Sequence, residues 1–209
     1  FSALSTDAHL NLINAVRVAA SPACHGFGTM VLMNDKIYSA RDVSKTHTYH
    51  VESFQAFNTG PIGTVDTDRQ VRLAHQPLRL HTHNSRFAVP LDKSSPFVPV
   101  IFSHAGADHR LLESLLLHHR PHGIVVAGTG AGRCSPLEEA PLLAALEAQI
   151  PVVMSSRLAS GRVLPIEYYE EFGFITADDL PAQKARILLL LTIKLGLDKN
   201  AIQEAFNTH

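Results

Sequence analysis

The chain has 209 residues, 45% of them hydrophobic and 18% charged, and a formal net charge of -1; that is enough apolar material for one large or two small domains with real cores. Its near-neutral balance argues against a polyanion-binding surface, so no nucleic acid partner is expected. No apolar run approaches the length of about 20 residues that a bilayer requires, and no membrane is expected; the longest, 187–193, is closed by Lys194.

From the start of the chain, Ser5, Thr6 and Asp7 supply capping groups, and Leu10, Ile13, Val16 and Ala20 recur at helical spacing. The pattern predicts an amphipathic helix over 7–20 with those four residues inward. Pro22 and Gly26 end it. The apolar run 29–33 then meets Asn34-Asp35, and alternation resumes over 36–38, which predicts a tight hairpin. A polar loop follows, with Lys45 set among Ser44, Thr46 and Thr48. A cation so placed can hold a carboxylate and lower the cost of deprotonating a hydroxyl; the plain alternative is a solvated surface lysine.

Gly60-Pro61-Ile62-Gly63 marks a turn, and 65–80 carries broken β-type alternation. Residues 76–96 hold three prolines and little periodicity, which suits a linker between domains. His81 and His83 fall inside it. On one strand face they can ligate a metal with His75 or His104, although no carboxylate or cysteine completes a known spacing, and an accidental pair is expected among 13 histidines. The two cysteines, Cys24 and Cys134, form no Cys-x-x-Cys pair. One disulfide and two free thiols both remain open, and with them the redox compartment.

After Pro96 short strands without alternation (98–102, 123–127, 151–154) are separated by helices (107–118, 137–148), the grammar of a parallel sheet covered on both faces. Gly128-Thr129-Gly130-Ala131-Gly132 follows the second strand, at the carboxyl edge where such sheets bind ligands. Arg133 stands where a dinucleotide fingerprint needs its third glycine, so no nucleotide cofactor is expected. The plainer reading is a structural glycine turn. Pro181 opens a helix to Leu195, stopped by Gly196, and 199–206 forms a last short helix.

Several of these stretches together carry a family resemblance. Met33-Asn34-Asp35, Ala40-Arg41-Asp42-Val43 and Ser44-Lys45-Thr46-His47-Thr48, the helix 7–20, Phe54 with Gly60-Pro61-Ile62-Gly63 and Val65, and Asp179-Leu180-Pro181 through Leu189 resemble, in order, the bacterial periplasmic-type L-asparaginases and glutaminase-asparaginases. The resemblance implies an α/β fold: the end of an N-terminal α/β domain over 1–75, a linker over 76–96, and a flavodoxin-like parallel-sheet domain over 97–209.

It also implies hydrolysis of L-asparagine, with L-glutamine a poorer substrate, by a threonine hydroxyl. That threonine and its aspartate partner would lie on segments preceding Phe1, so the chain would correspond to the C-terminal two-thirds of a subunit. Thr64-Val65-Asp66-Thr67 resembles the catalytic motif but sits downstream of the hairpin, in the wrong element. Within the chain Lys45 would be the catalytic lysine. The glycine loop would reach a neighbouring subunit's substrate, where Arg133 replaces a small polar residue and either pairs with a carboxylate or fills the space. Glu167 would hold the α-amino group. The resemblance implies no cofactor or metal, a homo-oligomer (a tetramer of intimate dimers), and a periplasmic or secreted location, otherwise cytoplasmic. The alternative is a non-catalytic ligand-binding or assembly domain using the glycine loop.

Overall fold

A computed structural model describes residues 6–87 and 95–209, and these divide into two compact units between Arg86 and Phe87. The division falls within 76–96; part of that expected linker, 88–94, lies outside the described residues.

The first unit opens with helix α1 (Ala8–Ala20), followed by the hairpin β1 (Met30–Met33) and β2 (Lys36–Ser39). Met33 pairs with Lys36, and the two residues between, Asn34 and Asp35, have φ of 51° and 58°. Both central residues are left-handed, as the type I′ turn demands, and Asn and Asp tolerate that region better than most. Strands β5 (Gly63–Val65) and β6 (Val71–Leu73) complete an antiparallel sheet of order β1-β2-β5-β6. The expected alternation over 65–80 is therefore confined to its first nine residues, and Asp66, Asp68 and Arg72 tie that turn together. Ile37, Ile62, Val65 and Val18 form the buried core.

Three expectations are corrected in this unit. Leu10, Ile13 and Val16 are exposed, and α1 instead buries Asn11, Asn14 and Val18. The cause is polar: Asn34 N–H donates to Asn11 Oδ1 at 3.0 Å, and Asn14 Nδ2 donates to Asp35 Oδ1 at 2.7 Å, so the helix grips the hairpin turn with its amides. Lys45 is not in a loop. It lies in a short strand, β3 (Ser44–Lys45), paired antiparallel with β4 (Phe54–Gln55). The His81 and His83 reading is corrected too: His83 lies in a 3₁₀ turn (Thr82–Asn84) and His81 immediately precedes it, so they share no strand face.

The second unit carries a four-stranded parallel sheet whose spatial order runs from the last strand in sequence back to the first. Its strands are β7 (Val100–Phe102), β8 (Ile124–Gly128), β9 (Val152–Ser156) and β10 (Ile175–Thr176), the last being the one the apolar pattern does not mark. The central strands are buried on both faces, as expected. Ile124 and Val126 face α2 (His109–His118), α3 (Pro136–Glu147) and α4 (Glu167–Phe172) in one core. Val125 and Ala127 face α5 (Ala182–Lys194) and α6 (Lys199–Thr208) in the other. Alternate residues of one strand thus feed opposite cores, the geometry of a three-layer α/β/α domain. Helix α2 begins two residues later than predicted because Asp108 caps it, accepting from Arg110 N–H at 3.0 Å.

Candidate active site

In the first unit Lys45 pairs across the ladder with Phe54, and its ammonium stands 5.7 Å above that ring. Successive strand side chains point to opposite faces, so Ser44 turns away from Lys45. The Thr46 amide and hydroxyl both donate to the Ser53 carbonyl, at 2.7 and 3.3 Å. The hydroxyls flanking Lys45 in sequence therefore do not ring its ammonium. Lys36 and Arg41 are engaged by Glu52 and Asp42, and the hydrogen bond to Glu52 raises the Lys36 pKa. Lys45 is exposed and, among the described residues, has no hydrogen-bond or ion-pair partner. A cation held on one aromatic face is available to an incoming carboxylate.

In the second unit the glycine loop leaves β8 at the carboxyl edge of the sheet, where it was expected. It is a closed turn: Thr129 N–H donates to the Arg133 carbonyl at 2.8 Å and Arg133 N–H returns a bond to Thr129 at 2.9 Å. A Cβ on Gly128 would lie 2.3 Å from the Gly132 carbonyl, so the chain's own backbone explains that glycine. Ser156 Oγ ties the loop down by donating to the Gly130 carbonyl at 2.7 Å. The turn is thus fixed by the protein, and it presents Arg133 as its exit residue.

The Arg133 guanidinium lies 5.4 Å from the centroid of the Tyr168 ring and 5.6 Å from that of Tyr169. Both rings belong to α4, whose first residue is Glu167. The fold therefore brings the loop bearing Arg133 against the helix bearing Glu167. Glu167 is exposed and, among the described residues, its carboxylate has no ion-pair partner. Burial, ahead of any charge, raises the pKa of Tyr169.

At the start of α3 lies a buried polar group. Glu138 is buried, accepts from Ser103 Oγ at 2.6 Å and from Ser135 N–H at 2.9 Å, and so ties the end of β7 to the start of α3. The signal was present: Ser135-x-x-Glu138 is capping-box spacing. Cys134 and Cys24 are both free thiols. Burial, and then Glu138 and Glu139, push the Cys134 thiol up to about 11. Among the described residues no group of three His, Cys, Asp or Glu side chains gathers as a metal site, and no helix is long and apolar enough to cross a membrane.

Comparison with known proteins adds sequence and fold relatives. Residues 1–79 match the family model "Asparaginase, N-terminal" and residues 97–206 the model "Glutaminase/Asparaginase C-terminal domain". The chain is 35% identical over 208 residues to L-asparaginase 2 of Bacillus subtilis, matching all of this chain and 55% of that protein. It is likewise 35% identical over 204 residues to a probable periplasmic L-asparaginase of Haemophilus influenzae, matching 97% of this chain and 58% of the relative. The crystal structure of a probable cytoplasmic L-asparaginase from Campylobacter jejuni superposes with a TM-score of 0.94 at 36% identity, covering all of this chain and 68% of that one. The chain thus spans between 55% and 58% of the length of these two curated relatives.

Proposed function

The chain belongs to the glutaminase/asparaginase family, and on that premise we propose that it supplies the lysine and the substrate-binding arms of an amidohydrolase. The substrate is L-asparagine, with L-glutamine poorer, and the products are the acid and ammonia. A threonine hydroxyl attacks the side-chain amide carbon, its proton passing to the amide nitrogen. The C–N bond breaks, ammonia leaves, and water releases the acid from the resulting ester. Lys45 keeps a carboxylate ionised, and that carboxylate orients the hydroxyl. Arg133 receives the substrate's carboxylate and Glu167 its α-amino group.

The observation that carries the reading is the match of both halves of the chain, in order, to the two domains of one family. It disfavours a non-catalytic binding or assembly domain. We read the organisation as domains over 1–75 and 97–209 joined by 76–96, in a homo-oligomer, a tetramer of two intimate dimers whose glycine loops serve neighbouring sites. The location proposed is periplasmic or secreted, with the cytoplasm as alternative; relatives are named for both places.

An ammonia-release assay with L-asparagine and L-glutamine tests this. Lys45→Met lowers turnover by more than about a hundredfold, the scale on which loss of an electrostatic partner acts. Near-normal turnover in a folded Lys45→Met protein removes the lysine from the mechanism. No ammonia from either substrate with the full-length protein that carries the nucleophilic threonine refutes the activity.

A further inference from the structure

We propose that Tyr168 and Tyr169 are positioning residues that hold the Arg133 guanidinium as the carboxylate-binding arm of the glycine loop, an inference that rests on the amidohydrolase reading above. The two rings stand 5.7 Å apart at 65°, so they form an angled notch. The guanidinium carbon sits within 6 Å of both centroids, inside the range of a cation–π contact. The notch is itself braced. Tyr168 packs on Phe172 and Phe174, with ring centroids 5.0 and 6.1 Å away, and Tyr169 meets Phe174 edge-on at 5.9 Å. At the other end, the paired backbone bonds of Thr129 and Arg133 fix the main chain from which the side chain springs.

A cation–π contact of this kind occupies none of the guanidinium's N–H donors with a hydrogen bond. Among the described residues no acceptor is hydrogen-bonded to the Arg133 guanidinium. Its donors are therefore spare, and the planar fork fits a carboxylate through two parallel bonds. An unrestrained surface arginine gives up much rotamer freedom on binding such a group. Here the two rings restrict that freedom before any ligand arrives. Tyr169 is 2% exposed, with a buried hydroxyl that has no hydrogen-bond partner in the described residues, so its ring and not its hydroxyl is what the site uses.

The test compares Tyr168→Phe, which keeps the ring, with Tyr168→Leu, which removes it, and with Arg133→Gln. The first readout is the Nε–Hε NMR signal of Arg133. It is shifted by the rings in wild type and Tyr168→Phe and returns to the position of a free arginine in Tyr168→Leu; an unshifted wild-type signal overturns the proposal. The second is kinetic: Tyr168→Leu and Arg133→Gln raise KM for L-asparagine by about tenfold with kcat within about twofold, while Tyr168→Phe keeps both. Unchanged KM in Tyr168→Leu overturns the positioning role. A shifted signal without any hydrolysis, in the full-length protein that carries the nucleophilic threonine, sinks the amidohydrolase reading instead. Titration with L-aspartate then decides the arm: movement of the Arg133 signal supports it, and a fixed signal overturns it.

Discussion

A methyl group added at Gly128 should damage the second unit far more than one added two residues on, at Gly130. At Gly128 the new carbon would lie 2.3 Å from both the carbonyl carbon and oxygen of Gly132 and 2.8 Å from the Arg133 amide nitrogen. These are backbone atoms, and Gly132 has little room to retreat, because a Cβ drawn on it already meets Val163 at 2.9 Å and the Ser155 carbonyl at 3.3 Å. The turn must open, losing the two bonds between Thr129 and Arg133. At about 1 kcal/mol each, with about 1 kcal/mol more for the weakened Arg133 stack and about 0.5 kcal/mol returned by the stiffer unfolded chain, the net loss is about 2.5 kcal/mol. At Gly130 nothing stands within 4 Å, and the only penalty is its φ of 50°, about 1 kcal/mol once the same unfolded-state gain is counted.

Scanning calorimetry reads the difference. With roughly 3–5 °C per kcal/mol for a unit of this size, Gly128→Ala should lower Tm by about 10 °C and Gly130→Ala by about 4 °C. If Gly130→Ala proves as damaging as Gly128→Ala, the closed-turn argument is wrong, and the glycines serve an approaching ligand or another surface rather than the loop itself.

Two more outcomes follow from the polar contacts. Asn14→Ala removes the amide that donates to Asp35 at 2.7 Å, so the urea midpoint should fall by the equivalent of about 1 kcal/mol with an unchanged slope; an unmoved midpoint would show that the helix does not hold the turn through this amide. The Cys134 thiol titrates near 11 against an ordinary 9.0. Its folded-state pKa is raised, so the stability it contributes is complete below pH 9 and is lost as pH rises toward 11. Tm should therefore drop more steeply over that interval in the wild type than in Cys134→Ala; parallel curves would mean that the thiolate is not disfavoured by its surroundings.

What the sequence revealed and what it hid divide by the range of the forces involved. Asn34-Asp35 between apolar runs announces its turn because the turn's dihedrals are set by the two residues themselves. The apolar strands 124–126 and 152–154 announce a sheet buried on both faces for the same reason, since burial on two sides is written in each strand's own composition. Helix α1 misleads because its spacing is local but its facing is not. Leu10, Ile13 and Val16 satisfy an amphipathic pattern, yet Asn11 and Asn14 turn inward to partners more than twenty residues away. Amide pairs at that separation leave no periodic trace.

The same limit governs the candidate site. Lys45 stands out by motif, but its partner Phe54 and the pairing of their two strands come from a register no motif encodes. Arg133 was read as a substituent in a glycine loop, either a substrate ligand or a plug. Its contact with the Tyr168 and Tyr169 rings joins the two, because a cation–π contact takes up none of the guanidinium's hydrogen-bond donors. An arginine can fill the space beside the loop and still offer its donors to a carboxylate, so size alone does not decide between plug and ligand.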